Sequence, residues 1–155
     1  MKKEKNNVKN SVGGRTKEVI NEMIRDSKGA KERKDERKAV IYARVSSKEQ
    51  EETGYSLPAQ EKLITEYGER KDFEIDLVFS IAESASGSKQ RKVFTEMMDY
   101  LTKEDVKILL CEKVDRITRN FKEAVVINDW LEEDPDRQIH FVKQNLIVSK
   151  SAKSD

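Results

Sequence analysis

Apolar residues along most of the chain follow one of two spacings, one typical of strands and one typical of helices. Ile75, Leu77 and Phe79 alternate with polar neighbours, as in a half-buried strand. Residues 106–111 form a continuous apolar run broken only by Lys107, which is typical of a buried central strand. The pattern predicts four strands, at residues 38–45, 75–80, 106–111 and 139–142.

Helical spacing fills the intervals between these strands. Residues 57–70 are predicted to form a helix because Ser56 can cap it and Pro58 suits its first turn. A second helix has four apolar residues on one face: Phe94, Met97, Met98 and Leu101. A third covers residues 121–133 and stops before Pro135. The alternation predicts an α/β fold, a three-layer sandwich around a largely parallel sheet of about four or five strands.

The first 38 residues differ from the rest in charge. They carry 13 Lys and Arg against 7 Asp and Glu and contain no aromatic residue, whereas residues 39–155 carry 18 against 23. Four of their apolar residues share one helical face: Val19, Ile20, Met23 and Ile24. Gly29 is predicted to end that helix. Residues 1–37 are therefore expected to be a basic, mostly flexible arm with a short helix, and a solvated tail is favoured over an arm that touches DNA phosphates or a partner.

Composition and charge exclude several classes of protein. The net charge of +1 argues against a polycation that coats nucleic acid. No apolar run approaches the ~18–20 residues of a membrane span, and no apolar segment of a secretory signal follows the basic N-terminus. One cysteine excludes an internal disulfide, and one histidine excludes a Cys/His zinc site. We expect a cytoplasmic protein that uses neither a metal nor a small-molecule cofactor.

Candidate chemistry follows the predicted strands. The residues concerned are Arg44, Ser46 and Ser47 after the first strand, Arg91 beyond the small-residue segment 83–88 after the second, and Asp115, Arg116 and Arg119 after the third. The carboxyl ends of parallel strands meet at one edge of a sheet. Guanidinium groups gathered there can bind phosphate, and a serine among them could attack phosphorus while the arginines hold the developing charge. The sequence has no metal-binding cluster or phosphate-cradling glycine loop, so the cations would do the work that Mg²⁺ does in many phosphoryl transferases.

Each of these features also has a structural interpretation. Two serines after a strand often form only a turn or a helix cap, and segment 83–88 could be an ordinary loop. Arg116 and Arg119 could form surface ion pairs with Glu112 or Glu123, and Asp115 could cap a helix. Taken singly these interpretations are favoured, but the combination of motifs points to phosphate chemistry.

The same segments resemble motifs of the serine site-specific recombinases, the resolvase/invertase family. Residues 42–47, followed by Glu49 and Gln50, resemble the nucleophile motif. Residues 54–60 resemble the segment that follows it, and their Gly-Tyr-Ser-Leu form points to the large serine recombinase branch. Residues 115–120 resemble the family's Asp-Arg-x-x-Arg motif, and residues 83–98 resemble the loop and helix between. The likeness covers about residues 38–148, with the motifs in the family's order.

This resemblance implies a mechanism and a role for each candidate residue. Ser46 would attack a DNA phosphodiester and form a covalent 5′-phosphoserine, leaving a free 3′-hydroxyl, without ATP or an obligatory metal. Arg44, Arg116 and Arg119 would surround the scissile phosphate, and Arg91 would also bind phosphate. Gln60 would orient the site, and Asp115 would position an arginine or help proton transfer. The family acts on double-stranded DNA as dimers that assemble into a tetramer for strand exchange.

The resemblance also bears on domain organisation. The family's long interface helix and DNA-binding domains have no counterpart in this sequence, so we expect a catalytic domain at residues 38–148 and a flexible end at 149–155. Three classes of function remain: a recombinase catalytic domain, a truncated or solo module that binds or regulates a full-length recombinase, and a different enzyme that cleaves phosphodiesters.

Two reactive side chains are predicted to be structural. Cys111 ends a buried strand and has no partner to activate it. His140 alternates with Ile139 and Phe141, so it is expected on the opposite face of the last strand.

Overall fold

The computed structural model describes residues 12–46, 54 and 56–150, and the chain divides into two compact units, Met1–Lys34 and Asp35–Asp155. The described residues form four α-helices: α1 (Val12–Glu36), α2 (Leu57–Arg70), α3 (Gly87–Lys103) and α4 (Phe121–Glu133). They form five strands: β1 (Lys38–Val45), β2 (Glu74–Ala82), β3 (Ile108–Cys111), β4 (Gln138–Phe141) and β5 (Leu146–Ser149). None of these helices is long and apolar enough to cross a membrane.

Helix α1 is longer than the sequence pattern predicts. It continues through Gly29 to Glu36, so the prediction that Gly29 ends the helix is wrong. A glycine inside a helix costs about 1 kcal/mol, and the strong helix formers on both sides outweigh that cost. The four apolar residues that were predicted to share a face, Val19, Ile20, Met23 and Ile24, are 48–63% exposed.

The sheet has the order β2-β1-β3-β4-β5, and the first four strands run parallel. This confirms the predicted α/β fold with a largely parallel sheet. Strand β1 lies inside the sheet and is buried from Ala39 to Val45. The chain passes from β1 to its neighbour β2 and then crosses β1 to reach β3. The order of the strands therefore reverses beside β1, and in open α/β sheets ligands bind at the carboxyl edge where this happens.

Strand β5 was not predicted. It pairs antiparallel with β4, with Phe141 opposite Leu146 and Gln138 opposite Ser149. The connection is a short 3₁₀ helix, Val142–Gln144, followed by Asn145 in the left-handed conformation at φ 48°. Asparagine tolerates that conformation better than most residues, so Asn145 was the available sequence signal for a tight reversal. Ser149, which the sequence assigned to a flexible end, is the last residue of this strand.

Side chains from alternate positions of the strands pack into two apolar layers. On one face, α3 and α4 cover residues such as Val40, Leu109 and Ile139. On the other face, α2 covers Ala39, Ile41, Ile108 and Leu110. His140 lies on this second side, against Tyr67 and Phe73, whereas Ile139 and Phe141 belong to the first layer, as predicted. The packing on both faces of the sheet confirms the three-layer arrangement.

Candidate functional site

Arg44 links the end of β1 to the segment that follows β3. The side chain of Arg44 is nearly buried, and its Nη2 donates to the main-chain carbonyl oxygens of Asp115, at 2.6 Å, and Thr118, at 3.1 Å. Ser46 is half-buried and comes directly after β1. The nucleophile candidate and the first candidate arginine therefore leave the same strand at its carboxyl end.

A 3₁₀ helix carries the second candidate arginine to this edge. It spans Val114–Arg116, and two residues separate it from the end of β3. The side chain of Arg116 is buried, and its Nη1 lies 3.1 Å from Oε1 of Glu83. The same Glu83 oxygen lies 3.8 Å from Nη1 of Arg44. Arg44 and Arg116, which are far apart in sequence, thus face one carboxylate at the carboxyl ends of β1, β2 and β3.

Asp115 contributes to this arrangement through its main chain. Its carbonyl oxygen accepts the hydrogen bond from Arg44, while its side chain is exposed. It lies inside the 3₁₀ helix, whose N-cap is Lys113, so the alternative that Asp115 caps a helix is wrong. The contact between Asp115 and Arg44 is therefore made by the main chain, and the role predicted for the Asp115 side chain stays a prediction.

Arg119 is held by the start of α4. Asn120 caps that helix by accepting from the main-chain N–H of Glu123, and the Glu123 carboxylate accepts from the main-chain N–H of Arg119 at 2.6 Å. These two bonds resemble a capping box, except that the Glu123 carboxylate accepts from the residue before the cap and not from the cap itself. The Glu123 carboxylate also lies 3.9 Å from Nη2 of Arg119, so the ion pair considered from the sequence is present, with a mostly buried acid.

Two guanidinium groups approach the N-terminus of α3. Arg119 Nη1 donates to the main-chain oxygen of Gly87 at 3.3 Å. A Cβ placed on Gly87 would lie 3.4 Å from Nη1 of Arg119 and 3.7 Å from Nη1 of Arg91. Arg91 itself is exposed. Arg91 and Arg119 therefore lie near each other at the N-terminus of α3, which Ser86 caps, and Arg119 contacts that terminus.

Gln60 lies in the first turn of α2 and is fully buried. Its Nε2 donates to the main-chain oxygen of Arg44 at 3.3 Å and, through a very short contact, to Oε2 of Glu112. Glu112 is itself buried and follows β3 directly, and its Oε1 lies 2.6 Å from Nζ of Lys143. A buried carboxylate costs free energy unless it is paired, and Gln60 and Lys143 provide that pairing.

Tyr42 and Cys111 lie close to the site but are held in non-ionised form. Burial raises the pKa of Tyr42 to about 12, although the positive charge of Arg44 acts in the opposite direction. Burial also raises the pKa of the Cys111 thiol well above its usual range. A protonated, buried thiol is a poor nucleophile, which agrees with the structural role predicted for Cys111.

Three carboxylates of the site were missed as functional candidates in the sequence. They are Glu83, Glu112 and Glu123. Glu83 directly follows β2 and Glu112 directly follows β3, so position at a strand end was an available signal. Glu123 stands three residues after the cap Asn120, which is the spacing of a capping box.

Part of the predicted site lies outside the described residues. Ser47, Glu49, Gln50 and Tyr55 of the sequence motifs fall there. In the part of the chain that the structure describes, no three His, Cys, Asp or Glu side chains are placed so that they could hold a metal ion. What the described residues do bring together is four arginines around one edge of the sheet, an arrangement suited to a phosphate group.

Comparison with known proteins supports this assignment of the fold. The family model described as the N-terminal domain of resolvase matches residues 39–154. The structure is similar to the N-terminal catalytic domain of TP901-1 integrase, with a TM-score of 0.61 and 20% identity, over 76% of this chain and 86% of that chain. A comparison with curated protein sequences found no match.

Two further solved structures are similar at somewhat higher identity. A resolvase family site-specific recombinase from Streptococcus pneumoniae has a TM-score of 0.56 and 27% identity, over 73% of this chain and 76% of that chain. The C-terminal catalytic domain of ISC1926 TnpA, an IS607-like serine recombinase, has a TM-score of 0.51 and 29% identity, over 68% of this chain and 67% of that chain.

Proposed function

The chain belongs to the resolvase N-terminal domain family, and we propose that it is the catalytic domain of a serine DNA recombinase that cuts and rejoins double-stranded DNA through Ser46. The observation that carries the proposal is the meeting of Arg44 and Arg116 on one carboxylate, at the strand end from which Ser46 emerges. Two buried guanidinium groups provide a binding site for a phosphodiester, and the serine that follows the same strand provides a nucleophile.

In the proposed reaction the Ser46 Oγ attacks the phosphorus of one DNA strand. The new Oγ–P bond replaces the bond between phosphorus and the 3′-oxygen, so the 5′-phosphate becomes attached to Ser46. The hydroxyl proton leaves Ser46, and the departing 3′-oxygen takes up a proton to become a hydroxyl. The energy of the phosphodiester is kept in the phosphoserine, and attack by a 3′-hydroxyl on that link rejoins the DNA.

The arginines stabilise the charge that this reaction develops. Arg44 and Arg116 bind the non-bridging oxygens of the scissile phosphate. Both side chains are buried, and the guanidinium group of Arg44 is fixed by the main-chain carbonyl oxygens of Asp115 and Thr118. Preorganised donors of this kind stabilise a transition state without having to reorganise during the reaction. Arg119 and Arg91 hold the DNA backbone at the adjacent end of α3.

Gln60 and Asp115 keep this arrangement in place. Gln60 fixes the main chain of Arg44, two residues before the nucleophile, and the Asp115 carbonyl fixes the Arg44 side chain. Both therefore act on the geometry of Arg44 in the proposed mechanism. Catalysis requires the phosphate and the nucleophile to be positioned relative to each other with an error of no more than about 0.5 Å, and such supports provide that accuracy.

We further propose that DNA affinity and self-association depend on more than this catalytic region. Residues 39–155 carry 18 Lys and Arg against 23 Asp and Glu, so the net charge of this region is −5, which does not favour binding to DNA. Phosphate contacts by many cations provide most of the non-specific affinity of DNA-binding proteins. The proposed catalytic unit acts as a dimer on DNA and as a tetramer during strand exchange, with the DNA held by linked or partner domains.

The test of the proposal is a covalent trap. The 155-residue chain is fused to a zinc-finger domain of known specificity and given duplex DNA that carries two finger sites flanking a nick near the cleavage point. A cleaved end can then diffuse away, so the covalent complex accumulates and is scored on a denaturing gel. Ser46→Ala should abolish the complex, whereas Ser47→Ala, the matched control, should retain it. Equal adduct formation by wild type and Ser46→Ala would contradict the proposal.

A further inference from the structure

Glu83 is fixed at the centre of the arginine pair. It follows β2 directly, and its main-chain N–H donates to the carbonyl oxygen of Val45 at 2.9 Å, one residue before Ser46. Its Oε1 lies 3.1 Å from Nη1 of Arg116 and 3.8 Å from Nη1 of Arg44. A single carboxylate oxygen thus lies between the two arginines that the proposed mechanism gives to the scissile phosphate.

Glu83 is more exposed to solvent than the two arginines with which it pairs. The side chains of Arg44 and Arg116 are 7% and 8% exposed, whereas that of Glu83 is 33% exposed. Glu83 is therefore the most solvent-accessible of the three charged side chains. Two nearly buried cations require an anionic partner, because desolvating an unpaired charge is costly.

The Glu83 carboxylate and a phosphodiester can interact with Arg44 and Arg116 in the same way. Each is a monoanion that offers oxygen acceptors to the forked donors of a guanidinium. If both anions occupied the pair together, they would repel each other at a distance of a few ångströms.

We propose that Glu83 occupies the anion-binding position of the DNA-free chain and that the incoming phosphodiester displaces its carboxylate from Arg44 and Arg116. The inference rests on the proposed function, since it names the exchange that must precede attack by Ser46. The small residues Ser84, Ala85 and Ser86 follow Glu83, so the loop beyond it carries no bulky side chain. Glu83 thereby keeps the arginines paired before DNA arrives and weakens binding of any phosphate that cannot displace it.

The exchange can be measured with dimethyl phosphate, the smallest phosphodiester monoanion, on the full 155-residue chain. Arginine side-chain N–H signals of ¹⁵N-labelled protein report on binding at Arg44 and Arg116. Glu83→Gln keeps the shape of the side chain and removes its charge, so dimethyl phosphate should bind about fivefold or more tightly. Glu69→Gln, at the exposed far end of α2, makes the same change in net charge and should leave the affinity unchanged.

The opposite outcomes overturn the inference. Unchanged or weaker binding by Glu83→Gln would mean that Glu83 only supports the arginines. A measurement on the wild-type chain covers the case in which the variant does not fold. There the ¹³Cδ signal of Glu83 should move with the same saturation curve as the Arg44 and Arg116 signals, and a carboxylate signal that stays constant while phosphate binds contradicts displacement.

This test does not depend on Ser46 chemistry. Binding of dimethyl phosphate and movement of the Glu83 carboxylate form and break no covalent bond, so the titration reports on the exchange whether or not Ser46 reacts. Anion exchange without any covalent adduct would overturn the proposed recombinase reaction and leave the role of Glu83 standing. A covalent adduct with no response of either arginine to dimethyl phosphate would overturn the role of Glu83 alone.

Discussion

Nη2 of Arg44 lies 2.6 Å from the main-chain carbonyl oxygen of Asp115. This hydrogen bond joins the end of β1 to the 3₁₀ helix beyond β3, two segments separated by about 70 residues. It uses one arm of the guanidinium for structure and leaves the other, Nη1, facing Glu83. The stability of this edge of the sheet and its capacity to bind phosphate therefore depend on the same side chain.

Arg44→Lys should affect both properties. A lysine has no planar fork and cannot reach the carbonyls of Asp115 and Thr118 together with Glu83. We expect the free energy of unfolding in urea to fall by about 1–3 kcal/mol, because two partly buried carbonyl groups lose a charged donor. We expect adduct formation in the covalent trap to fall at least about 100-fold, as when a transition-state donor is removed.

Arg37→Lys is the matched control for stability. Arg37 pairs with Asp72 at 2.6 Å, but both side chains are largely exposed. Exposed ion pairs contribute about 0–1 kcal/mol, so this substitution should change the free energy of unfolding by less than about 1 kcal/mol. Equal effects of the two Arg→Lys changes would contradict the structural role given to Arg44.

Gln60 and Glu112 should be energetically coupled. Each buried side chain satisfies the other, so removing either one leaves a polar group without its partner. The singles Gln60→Leu and Glu112→Leu and their double mutant form a thermodynamic cycle. We expect a coupling energy of about 1–3 kcal/mol, with the double mutant less destabilised than the sum of the singles. Additive effects in urea unfolding would show that the two side chains do not depend on each other.

His140 should make the protein sensitive to acid. Burial, assisted by the charge of Lys71, lowers the pKa of His140 to about 4, whereas an unfolded histidine titrates near 6.5. Between these values the unfolded chain binds more protons, so its free energy falls relative to the folded chain as the pH decreases. The stability from neutral His140 is thus complete above about pH 6.5 and lost progressively towards pH 4, at a slope of up to about 1.4 kcal/mol per pH unit.

The His140→Phe variant isolates this contribution. His140 is the only histidine of the chain, and its ring packs edge-on against Tyr67 and Phe73. Phenylalanine keeps this packing but loses the hydrogen bonds to Tyr67 and Gln138, so the comparison uses the pH dependence and not the absolute stability. Subtracting the variant's pH profile of unfolding free energy from that of the wild type removes the contribution of the carboxylates. A flat difference between pH 4 and 6.5 would mean that His140 titrates normally.

Cys111 should be chemically inert in the folded protein. It is fully buried, and its raised pKa leaves almost no thiolate at neutral pH. Labelling with Ellman's reagent should be at least about 100-fold slower in buffer than in denaturant. Because the chain has one cysteine, a single labelling rate reports on this position. Rapid labelling of the native protein would contradict the burial on which the structural interpretation rests.

Alternating apolar residues and short continuous apolar runs were sufficient to predict the four parallel strands, because the helices between them show a different spacing of apolar residues. These patterns failed at β5, whose Leu146 and Ile147 are exposed on a four-residue edge strand and carry no recognisable alternation of buried positions. The prediction also failed at Gly29, where a local helix-ending preference was weaker than the helix propensity of the residues around it.

The proximity of Arg44 and Arg116 could be predicted from the sequence, because it follows from the predicted parallel strands. Arg44 and Arg116 each lie within a few residues of the carboxyl end of a parallel strand, and such ends share an edge. The pairing of Glu83 with these arginines and of Glu112 with Gln60 depends on strand register and side-chain reach, which local patterns do not encode. The catalytic roles of all these residues stay predictions until activity is measured.

The most direct test of the central claim is to identify the residue that carries DNA after trapping. The adduct from the nicked substrate is digested with nuclease and protease, and the modified peptide is sequenced by mass spectrometry. Attack by Ser46 would leave a nucleotide attached through its 5′-phosphate to Ser46, with a free 3′-hydroxyl on the other DNA end. Attachment to Ser47 or any other residue, or through a 3′-phosphate, would contradict it.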